Sequence, residues 1–406
     1  MQLGFPRKYV SSYKGFFRDL FFGNEMNSQT VKEFENSFAA YIGTPYALSV
    51  SSARWGLYLI LKNLDLKPLD EVIIPALTHS SIPLMIKKAG ALPIYIDTEK
   101  DSPNLDIEIL KKNITDKTKI IIATHLFGIP CNLTELAKIC AEYNIILLED
   151  CAHAVGIKLE DKMAGSLGTA SFFSFDTTKQ LNTLGGGMIV TRDKALYEKL
   201  KNTIHAYPLS SKKIILPKLL KLLLHKLYTN RIFFTFFILP VLIILNRLDL
   251  DLIHAYKKQR KIKLNTYETQ ISPLQAYLGL KQLKKIETNN QKIHQHLSLL
   301  REKLSPAFKL TKLPQKTFAL EYLLSLRVEN KKLFYSQLLN KKIDSDTHIL
   351  SLNYSLLKDY QGFPQAQNFL KHALQISINS GLKEQDILYL AESLNKTAAK
   401  IEKQKT

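Results

Sequence analysis

Lys179 stands between a short apolar strand signal, Phe173-Ser174-Phe175, and a glycine run, Gly185-Gly186-Gly187. Upstream, Asp150 closes the apolar run Ile145-Ile146-Leu147-Leu148, which reads as a buried strand. A lysine amine forms a Schiff base with an aldehyde, and a carboxylate pairs with a protonated pyridine nitrogen. These are the two protein groups that pyridoxal phosphate (PLP) chemistry requires. In that reading Lys179 carries the cofactor, is released by an incoming amine, and then moves the proton between substrate and cofactor carbons. A buried Asp150 is costly unless paired, and a pyridinium is such a partner; the plain alternative is a helix N-cap. Strand neighbours face opposite sides, so of Glu149 and Asp150 one enters the site and the other points away.

Other residues could complete such a pocket. Phosphate needs donors at a helix start, and Ser51-Ser52-Ala53-Arg54, opening a helix at Trp55, offers hydroxyls, backbone N–H groups and the positive end of the helix dipole. Ser174 adds a hydroxyl five residues before Lys179. His79, in Pro75-Ala76-Leu77-Thr78-His79, has a flat ring able to stack on a cofactor face. His125 and His153 also follow strand signals, which raises a metal site made with His79. No ligand spacing on one element supports it, and no metal is expected.

The elements that must position these residues alternate from Ala47 to Thr191. Strand signals at Ala47–Val50, Val72–Ile74, Leu92–Ile96, Lys119–Ala123, Ile145–Leu148, Ala170–Phe175 and Gly187–Thr191 are separated by helical stretches such as Trp55–Leu66, Ile82–Ala89, Ile107–Asn113 and Leu133–Tyr143. That alternation predicts a mostly parallel sheet covered on both faces, with ligands outside the carboxyl ends of its strands. The C-terminal part reads as a smaller α+β domain: helices at Leu274–Ile286 and His294–Leu304, alternation over Leu320–Val328, then helices at Lys332–Asn340 and Lys383–Lys400. The expected organisation is an N-terminal arm (1–25), a large α/β domain (26–204), a basic and apolar insertion (205–263) and the smaller domain (264–406).

A chain of 406 residues, 46% of them apolar, can bury a large core. Cys131, Cys140 and Cys151 form no C-x-x-C pair, so neither a disulfide framework nor a structural zinc is expected. The first residues mix basic and aromatic side chains without the apolar core of a signal peptide, so the expected location is cytoplasmic. The net charge of +20 is local: residues 205–263 carry twelve Lys or Arg against Asp249 and Asp251. This favours an anionic surface or substrate at that segment over nucleic acid as a partner. The same segment contains Ile232–Leu245, nearly all apolar and interrupted by Pro240. It falls short of the ~20 residues that span a bilayer. It reads either as helices packed on the protein or its dimer partner, or as a monotopic membrane contact through residues 212–250.

Several spaced segments together resemble the DegT/StrS family of PLP-dependent nucleotide-sugar aminotransferases, a fold type I group. They are Phe34-Glu35 with Gly43, Asp70–Pro75, Gly90 with Asp97, His125-Leu126-Phe127-Gly128, Glu149–Ala154 with Gly156, Ser174-Phe175-x-x-x-Lys179, Gly186-Gly187 and Gln275-Ala276. The resemblance implies PLP on Lys179, Asp150 at the pyridine nitrogen, His79 stacked on the ring, His153 beside the ring or its hydroxyl, and Ser174 on the phosphate. It also implies a homodimer with sites at the subunit interface, glutamate as amino donor and a nucleotide-linked keto-sugar as acceptor. A dehydratase branch carries histidine where Lys179 stands, and an inactive, membrane-associated relative is the other alternative. Three departures stand out. Ala53-Arg54 replaces a glycine-threonine pair, Thr266–Gln270 lacks the asparagine and arginine that the family often lends across the dimer, and the insertion lies outside the common core.

Overall fold

The computed structural model describes residues 3–6, 27–210, 212–248, 250, 268–314, 316–346 and 362–403. Helix α1 (Ser28–Ile42) opens the main body, its N-terminus closed by a reciprocal Asn27–Thr30 capping box. The order continues β1 (Tyr46–Val50), α2 (Ala53–Lys62), β2 (Glu71–Pro75), α3 (Ser81–Lys88), β3 (Leu92–Ile96), α4 (Ile107–Lys112), β4 (Thr118–Thr124), α5 (Leu133–Glu142) and β5 (Ile146–Asp150). A hairpin, β6 (Lys158–Leu159) and β7 (Lys162–Met163), precedes β8 (Ala170–Ser174), β9 (Gly187–Thr191) and α6 (Lys194–His205).

These strands form a seven-stranded sheet in the order β1-β9-β8-β5-β4-β2-β3. β9 runs antiparallel to both neighbours, whereas β3, β2, β4, β5 and β8 are mutually parallel. Their apolar runs are continuous because both faces are covered. Val72, Ile74, Ile120, Ile122 and Leu148 pack on one side with Trp55, Leu59 and Ile86. Their neighbours Ile73, Ile121 and Leu147 pack on the other with Leu133, Leu136 and Ile139. The period of two thus sorts one apolar run into two cores. The expected α/β fold with a mostly parallel sheet is borne out, and its strands lie where the apolar runs placed them.

The inserted segment is helical: α7 (Lys212–Tyr228), a single turn α8 (Arg231–Phe233), a π-helical stretch Phe234–Ile238, and α9 (Leu239–Arg247). Pro240 is the second residue of α9 and follows the π-helical stretch directly, within one helical run from Arg231 to Arg247. α7 and the α8–α9 stretch meet at 63°, and no single helix in the described residues is long and apolar enough to cross a membrane. One side of the pair is anchored on the chain. Ile215 and Leu222 pack with Leu184 and Leu278. Phe234, Leu239 and Leu242 pack with Leu339. Arg231 pairs with Asp386 at 2.6 Å.

The C-terminal part comprises α10 (Pro273–Leu283), α11 (Ile286–Lys303), β10 (Thr317–Phe318), β11 (Leu323–Arg327), α12 (Lys331–Asn340), α13 (Pro364–His372), β12 (Ala373–Ser377) and α14 (Glu384–Lys403). β11 and β12 pair antiparallel. Several boundaries differ from the sequence reading. α2 ends at Lys62 rather than Leu66, before a turn in which Asp65 has φ +51°. The helix expected at Leu274–Ile286 ends at Leu283, and the one expected to start at His294 begins at Ile286, where its polar exposed face hides the period. The strand expected over Leu320–Val328 shortens to Leu323–Arg327. α1, the β6–β7 hairpin, α13 and β12 were not foreseen. Of the N-terminal arm, residues 3–6 are described, and the Phe5 amide donates to the Lys342 carbonyl at 2.7 Å. Residues 251–263 lie outside the described residues.

Candidate active site

The parallel strands deliver their last residues to one rim of the sheet: Asp150 from β5, Ser174 from β8, and, past the end of β2, the loop leading to His79. Lys179 follows β8 in a turn closed by its own amide donating to the Asp176 carbonyl at 2.9 Å. The alternation expected at Glu149-Asp150 is observed. Glu149 is fully buried and turned away from the rim. It accepts the amides of Gly165 (2.7 Å), Leu167 (2.9 Å) and Gly168 (2.6 Å), and its Oε2 lies 3.1 Å from His125 Nε2. Burial works against its charge, but His125 and those amides outweigh it and hold the carboxyl below its ordinary pKa. Asp150 has one such donor, the Ala152 amide at 3.0 Å. That bond closes a turn and caps no helix, so the plain N-cap reading does not hold. Burial therefore wins at Asp150 and lifts its pKa to about 6, against the pull of the Ala152 amide and of the Lys179 and His125 charges.

The same environment acts on the amine with the opposite sign. Burial lowers the Lys179 pKa to about 8, while the Asp176 and Asp150 carboxylates pull it back. His79 falls to about 4 through burial, then the Arg54 and Lys179 charges, with Asp176 opposing. Its Nδ1 accepts the Ser81 amide at 3.1 Å, so the proton of the neutral ring sits on Nε2. His153 Nδ1 likewise accepts the Phe127 amide at 3.1 Å, and burial with the Lys179 and His79 charges holds that ring neutral. Lys179 thus acts on Asp150, His79 and His153, and Arg54 acts on His79, so these groups lie within electrostatic reach of one another.

At the start of α2, Ser52 is the N-cap, its Oγ accepting the Trp55 amide at 3.3 Å. Gly186 forms a bridge with Ser52, and strand register sets Ser174 against Gly187. A Cβ at Gly187 would lie 2.6 Å from the Phe173 carbonyl and 2.7 Å from the Ala53 nitrogen, so only glycine allows this approach. Ser52, Ala53, Ser174 and the glycine run therefore converge. The buried hydroxyls of Thr78, Thr124 and Thr177, in or next to the strand-end loops, find no hydrogen-bond partner among the described residues. Orphaned groups of this kind cost about 1–3 kcal/mol each, and a polar ligand in the pocket would offset part of that. An amine opposite a carboxylate, two neutral imidazoles and a glycine-lined helix start fit PLP.

Four residues that line or approach this space were missed by the sequence reading. Asp176 sits three residues before Lys179, and Tyr322 meets the His153 ring edge-on at 5.6 Å. Lys218 and Lys221 arrive from α7; a side chain at Gly185 would collide with Lys218 Nζ. Only Asp176 had a signal, its place inside the Ser174–Lys179 segment. Of the three histidines weighed as metal ligands, His125 has both ring nitrogens engaged within the chain. His125 joins Glu149 and Cys151 in a compact buried group, yet its Nδ1 accepts the Cys131 amide at 3.2 Å and Nε2 is committed to Glu149. Burial also pushes the Cys151 thiol up, away from the thiolate that binds metal. Of the segment that lacks an asparagine and arginine, Thr266 and Tyr267 lie outside the described residues. Glu268 pairs with Lys88 at 3.0 Å and Gln270 donates to the Tyr207 carbonyl at 2.6 Å, both within the chain.

Comparison with known proteins places the chain in a family. GDP-perosamine synthase of Escherichia coli O157:H7 is 38% identical over 169 residues, which cover 42% of this chain and 46% of that protein. The spore coat polysaccharide biosynthesis protein SpsC of Bacillus subtilis is 37% identical over 171 residues, 42% and 44% of the two chains. The chain thus spans less than half the length of these curated relatives in alignment. Among solved structures, Helicobacter pylori PseC, an aminotransferase involved in pseudoaminic acid biosynthesis, superposes over 98% of this chain and 99% of its own with TM-score 0.74 at 21% identity. A putative sugar aminotransferase of Streptococcus pneumoniae in its PLP form reaches TM-score 0.73 at 20% identity, over 99% of each chain. At such identities the likeness is one of fold. The profile of the DegT/DnrJ/EryC1/StrS aminotransferase family, by contrast, matches residues 23–213 and 248–395, most of the chain on both sides of the inserted helices, and the protein belongs to that family.

Proposed function

We propose that this protein is a PLP-dependent aminotransferase that moves an amino group from glutamate to a nucleotide-linked keto-sugar in cell-envelope or polysaccharide biosynthesis. The observation that carries the reading is the pair Lys179 and Asp150. They feel each other's charge at one sheet rim, the amine lowered to about 8 and the carboxyl raised to about 6. When bound, PLP supplies an aldehyde for the amine and a ring that accepts electrons from the substrate carbon. The chain's own residues do the rest. Lys179, with its pKa near neutrality, is deprotonated often enough to act as nucleophile and then as the base and acid that shuttle a proton at the substrate carbon. Asp150, ionised above pH 6, would hold a proton on the ring nitrogen. His79 would present a neutral flat ring, His153 would offer its Nε2–H, and Ser52, Ala53, Arg54 and Ser174 would hold the phosphate.

Lys179 also sets this reading apart from the dehydratase branch, which the notional histidine at that position would have marked. The direct test is a screen of nucleotide-linked keto-sugars with glutamate, read by mass spectrometry of the amino product. Turnover persisting in Lys179→Ala, or a wild-type protein that takes up no PLP, would overturn the assignment and favour an inactive relative.

The division into a large domain (26–204), an insertion (205–263) and a small domain (264–406), and assembly as a homodimer, belong to the same reading. So does a peripheral contact of residues 212–250 with an anionic membrane from the cytoplasmic side. Leu216, Leu224, Ile232, Phe237, Ile244 and Leu248 each keep more than half of their surface exposed. Basic residues flank them, as an acidic lipid surface requires. Flotation of the full chain with acidic liposomes, compared with a chain lacking residues 212–250, tests it. Equal flotation would remove the membrane, and a deletion that instead breaks a dimer would assign the face to a second copy.

A further inference from the structure

We propose that Lys218 and Lys221, on the inserted helix α7, complete an anion site at the mouth of the Lys179 pocket and there bind a phosphate or diphosphate group. The inference deepens the aminotransferase reading and rests on it. Neither lysine falls within the segments that the family profile matches, 23–213 and 248–395, so the feature lies outside the part of the chain that the profile describes. Packing brings the helix there: Ile215 and Leu222 bury themselves against Leu184, the residue before the glycine run, and against Leu278 of α10. Lys218 Nζ then occupies the space that a side chain at Gly185 would need. Gly185 has φ +91°, in the region that favours glycine, and its neighbour Gly186 bridges to Ser52 at the start of α2.

Charge points to the ligand. Burial lowers the pKa of Lys218, the Arg54 and Lys221 charges lower it further, and Asp176 opposes. Asp176 in turn is held low, against burial, by Lys221, the Thr177 amide, Lys218 and Lys179. Among the described residues, Lys179, Lys218 and Lys221 act together on Asp176, and Arg54 acts on Lys218. Cations gathered beside one buried carboxylate favour a further anion, and a phosphate monoester carries close to two negative charges at neutral pH. Lys221 is exposed while Lys218 is partly buried, so the pair grades from solvent into the pocket, as a site that captures a phosphorylated ligand from outside would.

The phosphate has two sources, PLP itself and the diphosphate of a nucleotide-linked substrate. Equilibrium titrations of the full-length apoprotein separate them, with PLP against unphosphorylated pyridoxal in one arm, followed by absorbance, and GDP, UDP and dTDP in the other, followed by calorimetry. For Lys218→Gln we expect affinity for PLP or for a nucleoside diphosphate to fall by about tenfold or more, with pyridoxal unchanged, since a charged hydrogen bond contributes about 1.5–3 kcal/mol. Lys218→Arg should recover most of the loss. Lys221→Gln, on the exposed side where packing is not disturbed, should give a smaller loss in the same arm. A change in the first arm assigns the cofactor phosphate; a change in the second assigns the substrate diphosphate. Affinities within about twofold of wild type in both arms, for both glutamine variants, overturn the proposal. That outcome is distinct from failure of the aminotransferase reading, in which the wild-type protein would not take up PLP in a Lys179-dependent way.

Discussion

The rim around Lys179 and the outer face of the inserted helices break the usual distribution of side chains in opposite directions. At the rim, charged and polar groups are buried with too few partners: Asp150 has one amide donor where Glu149, one residue away, has three and a histidine. On the helices, large apolar side chains are left in the open, among them Phe236 at 53% and Phe237 at 61% exposure. Each departure costs stability unless something else arrives, a polar ligand at the rim and an apolar or lipid surface at the helices. Glu149 and Leu222 provide the contrast within each region, since they are as buried as their neighbours and fully provided for.

Five substitutions or conditions sharpen that contrast. The largest effect is expected for Glu149→Ala, which strands three amides and His125 in the interior. It should cost about 3–5 kcal/mol and leave little folded protein, measured by denaturant unfolding. Leu222→Ala comes next on the helix side, about 2–4 kcal/mol for a buried leucine packed against Leu184. Asp150→Asn should part stability from activity. Turnover should fall by roughly 10²–10³, while the apoprotein at pH 7 becomes more stable.

The sign follows from linkage. Asp150 titrates at about 6 in the fold against 3.8 otherwise, so the stability its protonation provides is complete below pH 3.8 and gone above 6. The stabilisation by Asn should therefore vanish when thermal unfolding is repeated near pH 4. Uptake of PLP by the apoprotein should itself quicken as pH rises, first through about 6 as Asp150 ionises and then through about 8 as Lys179 loses its proton. Stopped-flow absorbance would show a flat profile if neither group were involved. The smallest effect on folding is expected for the double substitution Phe236→Ser, Phe237→Ser, within about 0.5 kcal/mol for each surface site. The same protein should lose liposome flotation, and unchanged flotation would return this face to an unexplained surface.

Much of the large domain was legible in the chain because its strands are short apolar runs that stop at polar residues, and because period two sends Ile73 and Ile74 to different cores. Lys179 and Asp150 could be picked out for the same reason: each follows a run whose end must lie at the sheet rim. The C-terminal part was harder. α11 has an exposed polar face that blurs its start, and β12 gains its identity only by pairing with β11. Tyr322 comes from that part and carried no local mark of its place beside His153.

The amino-acid order by itself determined the alternation of strands and helices, the lysine and aspartate at strand ends and the basic, apolar character of residues 212–248, because these depend on local period and composition. Only the tertiary structure decided that Glu149 is saturated and Asp150 is not, that His79 and His153 are neutral, and that α7 turns one side to solvent while setting Lys218 beside Gly185. Those outcomes depend on desolvation and on charges brought together from distant segments, and neither quantity exists until the chain has folded.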